Sequence, residues 1–296
     1  MQPNDPRYGK GMFRIPTEQV RAAGLTDIEA RLVHTFRAPG YRPPVLPAAA
    51  MELVRITRDP EVDFRRVTHL LEQDALLAAR VVRVAQSPIF GAQEPVHSLA
   101  QAATRLGLRT LADVFLAESM AMRVFRAPGL DEPMNRLRRH SVACAHVARL
   151  VARRTPMSDE QSFLCGLLHD AGIAAGMIAV ADIPRGGKPV LWDELWPALH
   201  RGHEVYAFIL AKLWELPEDI SLVISRHHQL NWGKHIHPGA AVVCVADWLC
   251  REIDLGFHDE ADGGEFTRAA NALGLTTQVL GLVRDEARAQ VPALVE

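Results

Sequence analysis

Phe163-Leu164-Cys165-Gly166-Leu167-Leu168-His169-Asp170-Ala171-Gly172 is the stretch that decides how this chain is read. An apolar run ends in a His-Asp pair, and small residues follow at once. Two such side chains in an apolar helix are costly unless something compensates them. A divalent metal compensates both, because imidazole nitrogen and carboxylate oxygen are ordinary ligands of first-row ions. Working outward, His140 precedes the pair, and His203, His227-His228 and Asp247 follow it. Each lies in a segment that reads as helix. The intervals are about 20 to 35 residues, roughly one helix plus one connection.

Composition sets the frame for that reading. The chain has 296 residues, 48% of them hydrophobic, and a net charge of −2. This is enough for a sizeable core, and it leaves no global electrostatic footprint for nucleic acid or an anionic membrane. No specific DNA binding and no membrane partner are expected. The four cysteines, Cys144, Cys165, Cys244 and Cys250, form no C-x-x-C pair and lie in apolar helical stretches. They read as small hydrophobes in a reducing compartment, and a cytoplasmic location is expected. Met1 to Lys10 lacks a signal-peptide layout, and no transmembrane helix is placed.

Along the chain the elements read as helices throughout. Thr26-Asp27-Ile28-Glu29 is a capping box that opens a short helix to about Arg37. Pro43-Pro44-Val45-Leu46-Pro47 stiffens the approach to five helices: Ala48 to Thr57, then helices capped by Asp63, Asp74 and Ser98, then Thr110 to Phe125. Gly107 is expected to stop the fourth. Ala127-Pro128-Gly129 marks a boundary. Beyond it come a helix from Asp131 to about Arg154, the Ser158-capped helix of His169-Asp170, and a loop over 182–191. A helix with His203 follows, then one that starts after Pro217 and ends at His227-His228. Residues 229–238 read as a polar loop, Pro238 to Glu252 as the Asp247 helix, and 259–265 as an acidic loop. A final helix is capped by Thr276 or Thr277. The expected fold is all-α: residues 1–42 an extension with one short helix, 43–127 an N-terminal five-helix unit, and 128–296 a C-terminal helical bundle.

Several motifs together give a family resemblance. Pro44-Val45-Leu46-Pro47, Gln73-Asp74-Ala75-Leu76-Leu77, Gln86-Ser87-Pro88-Ile89-Phe90 and Ala102-Ala103-Thr104-Arg105-Leu106-Gly107 resemble the N-terminal motifs of HDOD proteins, the HD-related output domains of bacterial signalling. Ala75 and Gln86 depart from the usual Pro and Asn. In the second half, Arg139-His140-Ser141, Gly166 to Gly172, Gly202-His203-Glu204-Val205 and Leu213-Trp214-Glu215-Leu216-Pro217 followed by His227-His228 resemble the HD metal-dependent phosphohydrolase superfamily. The resemblance covers about residues 43–250. It implies an HD-type bundle, a primary metal set of His140, His169, Asp170 and Asp247, and second-metal positions at His203, His227 and His228. The cofactor it implies is one or two divalent ions, with Fe, Mn, Zn and Mg all open, and Asp170 is the candidate catalytic residue. His227-His228-Gln229-Leu230-Asn231-Trp232-Gly233 lacks the Gly-Tyr-Pro element of the cyclic-di-GMP phosphodiesterases, so the resemblance does not extend to that activity.

Each residue also has a plainer explanation. Any one histidine is as well accounted for as a hydrogen-bonded core or surface residue, and only the complete set in register points to metal. Arg136 and Arg139 share a face with His140 and are candidates for a phosphate clamp, although a solvated face explains them too. Trp192, Trp196, Trp214, Trp232 and Trp248 read as core. His34, His69, His97, His235, His237 and His258 read as solvent-facing or loop residues. Two functions remain open. One is a signalling output or regulatory module with a metal-binding core and protein partners. The other is a metal-dependent phosphohydrolase whose ligand is a nucleotide or cyclic nucleotide.

Overall fold

The structure, a computed structural model, describes residues 27–38, 41, 43–45, 50, 52–53, 64–72, 74–87, 90–91, 95–181, 191–232, 235–258 and 263–295. Helix α1 is Asp27–Arg37, α2 Phe64–Glu72, α3 Ala75–Ala85 and α4 Leu99–Arg123. Then come α5 Asp131–Ala152, α6 Asp159–Leu168, α7 Ala171–Ala181, α8 Trp192–Leu213 and α9 Glu218–Ile224. A two-strand antiparallel hairpin, β1 Asn231–Trp232 and β2 His235–Ile236, leads into α10 Pro238–Glu252. Helices α11 Gly263–Ala272, α12 Thr277–Gln290 and α13 Pro292–Val295 complete the described chain. The fold is all-α apart from that short hairpin.

The caps explain where the helices begin. Ser158 accepts from the Gln161 N–H at 3.2 Å, and Ser98 and Thr276 make the same contact to Gln101 and Val279. Asp74 accepts from the Leu77 N–H at 3.1 Å and opens α3. Each satisfies one backbone donor that the first helical turn leaves unpaired. Gly107 interrupts α4 as expected, with φ +74° and ψ 160°, a conformation that a residue with a Cβ resists. Ala127-Pro128-Gly129 forms a tight turn closed by the Leu130 N–H on the Ala127 carbonyl at 3.0 Å.

Three stretches differ from the sequence expectations. The helix through His169-Asp170 is in fact two, α6 and α7, which meet at that pair. The loop over 229–238 contains the hairpin, and residues 263–265 already belong to α11. The expected helix over 48–57 and most of the loop over 182–191 lie outside the described residues.

Close helix approach is what brings the two halves of the Gly166–Gly172 motif to their neighbours. A Cβ on Gly166 would sit 2.7 Å from the Cys144 carbonyl oxygen of α5, and one on Gly172 would sit 1.9 Å from the His203 carbonyl oxygen of α8. Only glycine lets α6 lie against α5 and α7 against α8 at these distances. Phe163, Leu167, Leu168, Leu137 and Phe115 fill the core around them. The segment Asp159–Ala181 is long and apolar enough to cross a membrane by length and composition, and 94% of its apolar window is buried inside the bundle.

Polar contacts tie the first helices to the bundle. Asp113 of α4 accepts from both terminal nitrogens of Arg149 of α5, Oδ1 from Nη2 at 2.9 Å, and both residues are buried. The Arg149 guanidinium also lies 4.4 Å over the Phe163 ring. Trp214 Nε1 donates to the Pro44 carbonyl at 2.8 Å. Arg201 of α8 pairs with the buried Glu29 of α1 at 2.6 Å, and Phe36 stacks on Tyr206 at 4.3 Å.

Candidate metal centre

His140 comes from the middle of α5, His169-Asp170 from the α6–α7 junction, and His203 from α8. His227 and His228 come from the turn after α9, and Asp247 from α10. The His169 and Asp170 side chains are both buried at the junction, 2% exposed each.

The same device fixes four imidazoles. The Nδ1–H of His140 donates to the Leu255 carbonyl at 3.0 Å and that of His169 to Gly166 at 2.8 Å. His203 donates to His200 at 2.5 Å and His227 to Ile224 at 3.1 Å. With that proton committed, a neutral ring carries its lone pair on Nε2. The Nε2 atoms then face one another in two pairs, His140 with His169 at 3.3 Å and His203 with His227 at 3.3 Å. Between the neutral rings of His203 and His227 the two lone pairs have no proton to share, whereas His169 carries one toward His140 and Asp170. The spacing within each pair suits two ligands of one ion at about 2.1 Å, and backbone-anchored Nδ1 atoms are the usual support of metal-binding imidazoles.

Asp170 stands between the pairs. Its Oδ2 is 3.2 Å from His169 Nε2 and 3.6 Å from His140 Nε2. Its Oδ1 is 3.6 Å from His227 Nε2 and 3.8 Å from His203 Nε2. Asp247 Oδ1 lies 3.4 Å from His140 Nε2, while its other oxygen accepts from Arg251. Three overlapping donor sets result: His140 with His169 and Asp247; His169 with Asp170 and His227; and His203 with His227 and His228, the atoms of each within 4.8 Å of one another. All seven sequence candidates for metal are therefore brought together, with His228 at the exposed rim. The donor chemistry fits divalent ions, and the buried His/Asp cluster could hold them.

The electrostatics agree. Burial pushes His140 down, and pushes His203 and His227 down to about 4, so these rings are neutral donors at neutral pH. Burial also opposes charge on His169 and Asp170, but each outweighs it for the other. His169 is held well above and Asp170 well below its ordinary value. Asp247 is lowered too, because His140 and Arg251 outweigh burial. The proton on His169 takes the place in the charge balance that a cation would take.

A cleft of about 760 Å³ opens onto His203, His227, His228 and Asp247. Trp248 and Phe266, stacked at 4.8 Å, and the arginines Arg201 and Arg251 also line it. The candidate phosphate ligands Arg136 and Arg139 do not. Arg136 donates to the Phe257 carbonyl at 3.0 Å, and Arg139 is exposed on α5. Of the tryptophans only Trp214 is fully in the core. His237 caps α10 and stacks on Trp232 at 3.9 Å. His258 is half-buried, its ring 5.4 Å from that of His200, which in turn stacks on His203 at 5.9 Å. His200 was legible as the residue one turn before His203. His258, Arg251 and Phe266 reach the site through tertiary packing that no local pattern announces.

A profile of the HDOD domain matches residues 44–230. An uncharacterized protein of Treponema pallidum is 25% identical over 225 residues, which covers 71% of this chain and 42% of that protein. The chain thus spans less than half the length of this curated relative. Among solved structures, an HDOD domain protein of unknown function from Geobacter sulfurreducens aligns with a TM-score of 0.66 at 26% identity, covering 91% of this chain and 98% of that one. A Shewanella amazonensis protein, provisionally described as a metal-dependent phosphohydrolase, aligns with a TM-score of 0.67 at 19% identity, with the same coverage of 91% and 98%.

Proposed function

The chain belongs to the HDOD domain family, and on that premise we propose that it is a regulatory module of bacterial signal transduction that retains an HD-type metal-binding core. One observation carries the metal-binding part. The two oxygens of Asp170 each address one pair of Nε2 atoms, and all four rings are anchored through Nδ1. A cation held by His140, His169, Asp170 and Asp247, and a second by His203, His227 and His228, would staple α5, the α6–α7 junction, α8 and α10 into one unit. The module works in the cytoplasm, with protein partners of signalling pathways.

A second reading is a metal-dependent phosphohydrolase acting on a nucleotide or cyclic nucleotide. The cleft that opens onto the donor atoms favours it. A bound divalent ion supplies polarisation of a phosphoryl oxygen and acidification of a water. Asp170 and the imidazoles would orient the reacting groups, and Arg201 and Arg251 would offer guanidinium to a phosphate in the cleft.

Metal stoichiometry and phosphate-ester turnover on the same wild-type and Asp170→Ala samples separate the readings. Metal that is lost in Asp170→Ala, with no turnover across a broad nucleotide panel, is the result expected of the module. Turnover lost together with the metal would establish the hydrolase instead. A wild-type protein that binds no divalent ion would overturn both.

A further inference from the structure

A second cleft, of about 680 Å³, shares no lining residue with the one over the metal centre. It lies between α3 and α4 on one side and α5 and α13 on the other. Four guanidinium groups line it, Arg80, Arg83, Arg126 and Arg138, against two carboxylates, Glu118 and Asp131. Arg80 is neutralised by Glu118 at 2.6 Å. Asp131, exposed in the first turn of α5, is favoured by the helix dipole but keeps its charge, so four guanidinium groups against two carboxylates leave the lining at +2.

Three of the guanidinium groups, Arg83, Arg126 and Arg138, stand outside the Arg80–Glu118 pair. Arg138 is half-buried, and among the described residues its donors meet neutral oxygens: Nη2 donates to the Val295 carbonyl at 3.1 Å and Nε to Asn135 Oδ1 at 3.3 Å. Among the described residues, no carboxylate stands within ion-pair distance of Arg83, Arg126 or Arg138. A charge drawn partly out of water without a counter-ion is costly, and an anion in the cleft would remove the cost. The positive excess is local, since the whole chain carries −2. Val84, Phe125 and Leu294 add apolar wall. A cavity of this size is in the ordinary range for a small-molecule site, and planar guanidinium groups match phosphate oxygens in pairs.

We propose that this cleft is a second ligand site, for an organic phosphate of nucleotide size, with Arg83, Arg126 and Arg138 holding the phosphates and the apolar wall holding the organic part. The ligand would tie α3 and α4 to α5, the helix that carries His140, without touching the metal centre.

The test is calorimetric titration of the full chain with inorganic pyrophosphate and with ATP, in chelator so that the metal centre contributes no cation. ATP is expected to bind more tightly than pyrophosphate. Arg83→Gln with Arg126→Gln, and separately Arg138→Gln, should each weaken it by roughly tenfold or more, as expected for lost charge-assisted contacts. Asp170→Ala should leave the affinity unchanged. Arg83 and Arg126 are exposed, so their variant remains informative even if Arg138→Gln fails to fold. Three results would each overturn the proposal: no binding of either probe at millimolar concentration, an affinity indifferent to the arginine substitutions, or binding lost with Asp170→Ala. Pyrophosphate binding that ATP does not match would overturn the nucleotide-sized ligand.

Discussion

Two buried constellations of charge sit on α5, and they are built on opposite principles. Near its C-terminal end, Arg149 and Asp113 meet as a closed bidentate pair, with Phe163 beneath the guanidinium. Near its middle, His140 meets three neighbours, His169, Asp170 and Asp247, through its Nε2. The first has one cation and one anion that neutralise each other, with only the Arg149 Nε–H left without an acceptor among the described residues. Burial still pushes the Asp113 carboxyl up against the influence of Arg149, which is the residual cost of holding charge out of water. The second gathers several acceptors around a single proton, on His169, and could hold a cation in its place. Burial alone does not distinguish a structural ion pair from a site; unsatisfied lone pairs converging on one point do.

The largest expected effect breaks the closed pair. Asp113→Ala leaves the Arg149 charge buried and alone and should cost about 3–5 kcal/mol in a denaturant melt, with metal content per folded molecule unchanged. Replacing both, Asp113→Leu with Arg149→Met, should recover most of that loss. A double variant as unstable as the single one would mean that the pair does more than neutralise itself.

The open cluster should answer to metal instead. A divalent ion at a hundred times its dissociation constant should stabilise the wild type by about 2.7 kcal/mol, and Asp170→Ala should abolish the gain. Equal thermal shifts in the two proteins would place the ion elsewhere.

Proton linkage sharpens the contrast in metal-free protein. His203 and His227 titrate at about 4 in the fold and near 6.5 when unfolded. Their folded pKa is depressed, so the stability they contribute is complete above about pH 6.5 and is lost as pH falls toward 4. Each such ring should remove about 1.4 kcal/mol per pH unit inside that window. Saturating metal should make the loss steeper, because the imidazoles must then shed their ion as well. A pH-independent melting temperature between 6.5 and 4 would contradict the neutral-donor assignment.

The smallest effect lies between the two regions. Ser158→Ala removes the cap of α6 and should cost about 1 kcal/mol, with both constellations intact. Circular dichroism melts would detect it, and altered metal stoichiometry would not be expected.

Much of this architecture was readable because the signals are local. Ser98, Ser158 and Pro238 open helices where the sequence says they should, and Gly107 breaks one. The seven candidate residues fall into three overlapping clusters of donor atoms. What escaped is what depends on neighbours. The break between α6 and α7 has no proline to announce it, and it lies between Gly166 and Gly172, where α5 and α8 come close. Helix α11 starts on two glycines, a poor local signal, and is held by packing of Phe266 on Trp248. Helix α1 was visible, but its dock on α8 through Glu29 and Phe36 was not. The expected phosphate arginines failed for the same reason: helical spacing put Arg136 near His140, and the Phe257 carbonyl claimed it.

The shared carboxylate of Asp170 has a consequence for the order of loading. One anion faces two donor pairs, so occupancy of the two is a single coupled equilibrium. A cation held by His140 and His169 would draw on the charge of Asp170 and take the place of the proton on His169. The next meets a carboxylate already partly neutralised and a positive neighbour. Loading should therefore be negatively cooperative, with a tight first equivalent and a weaker second one. Metal availability would then set three distinguishable states of the domain: empty, half-loaded and full.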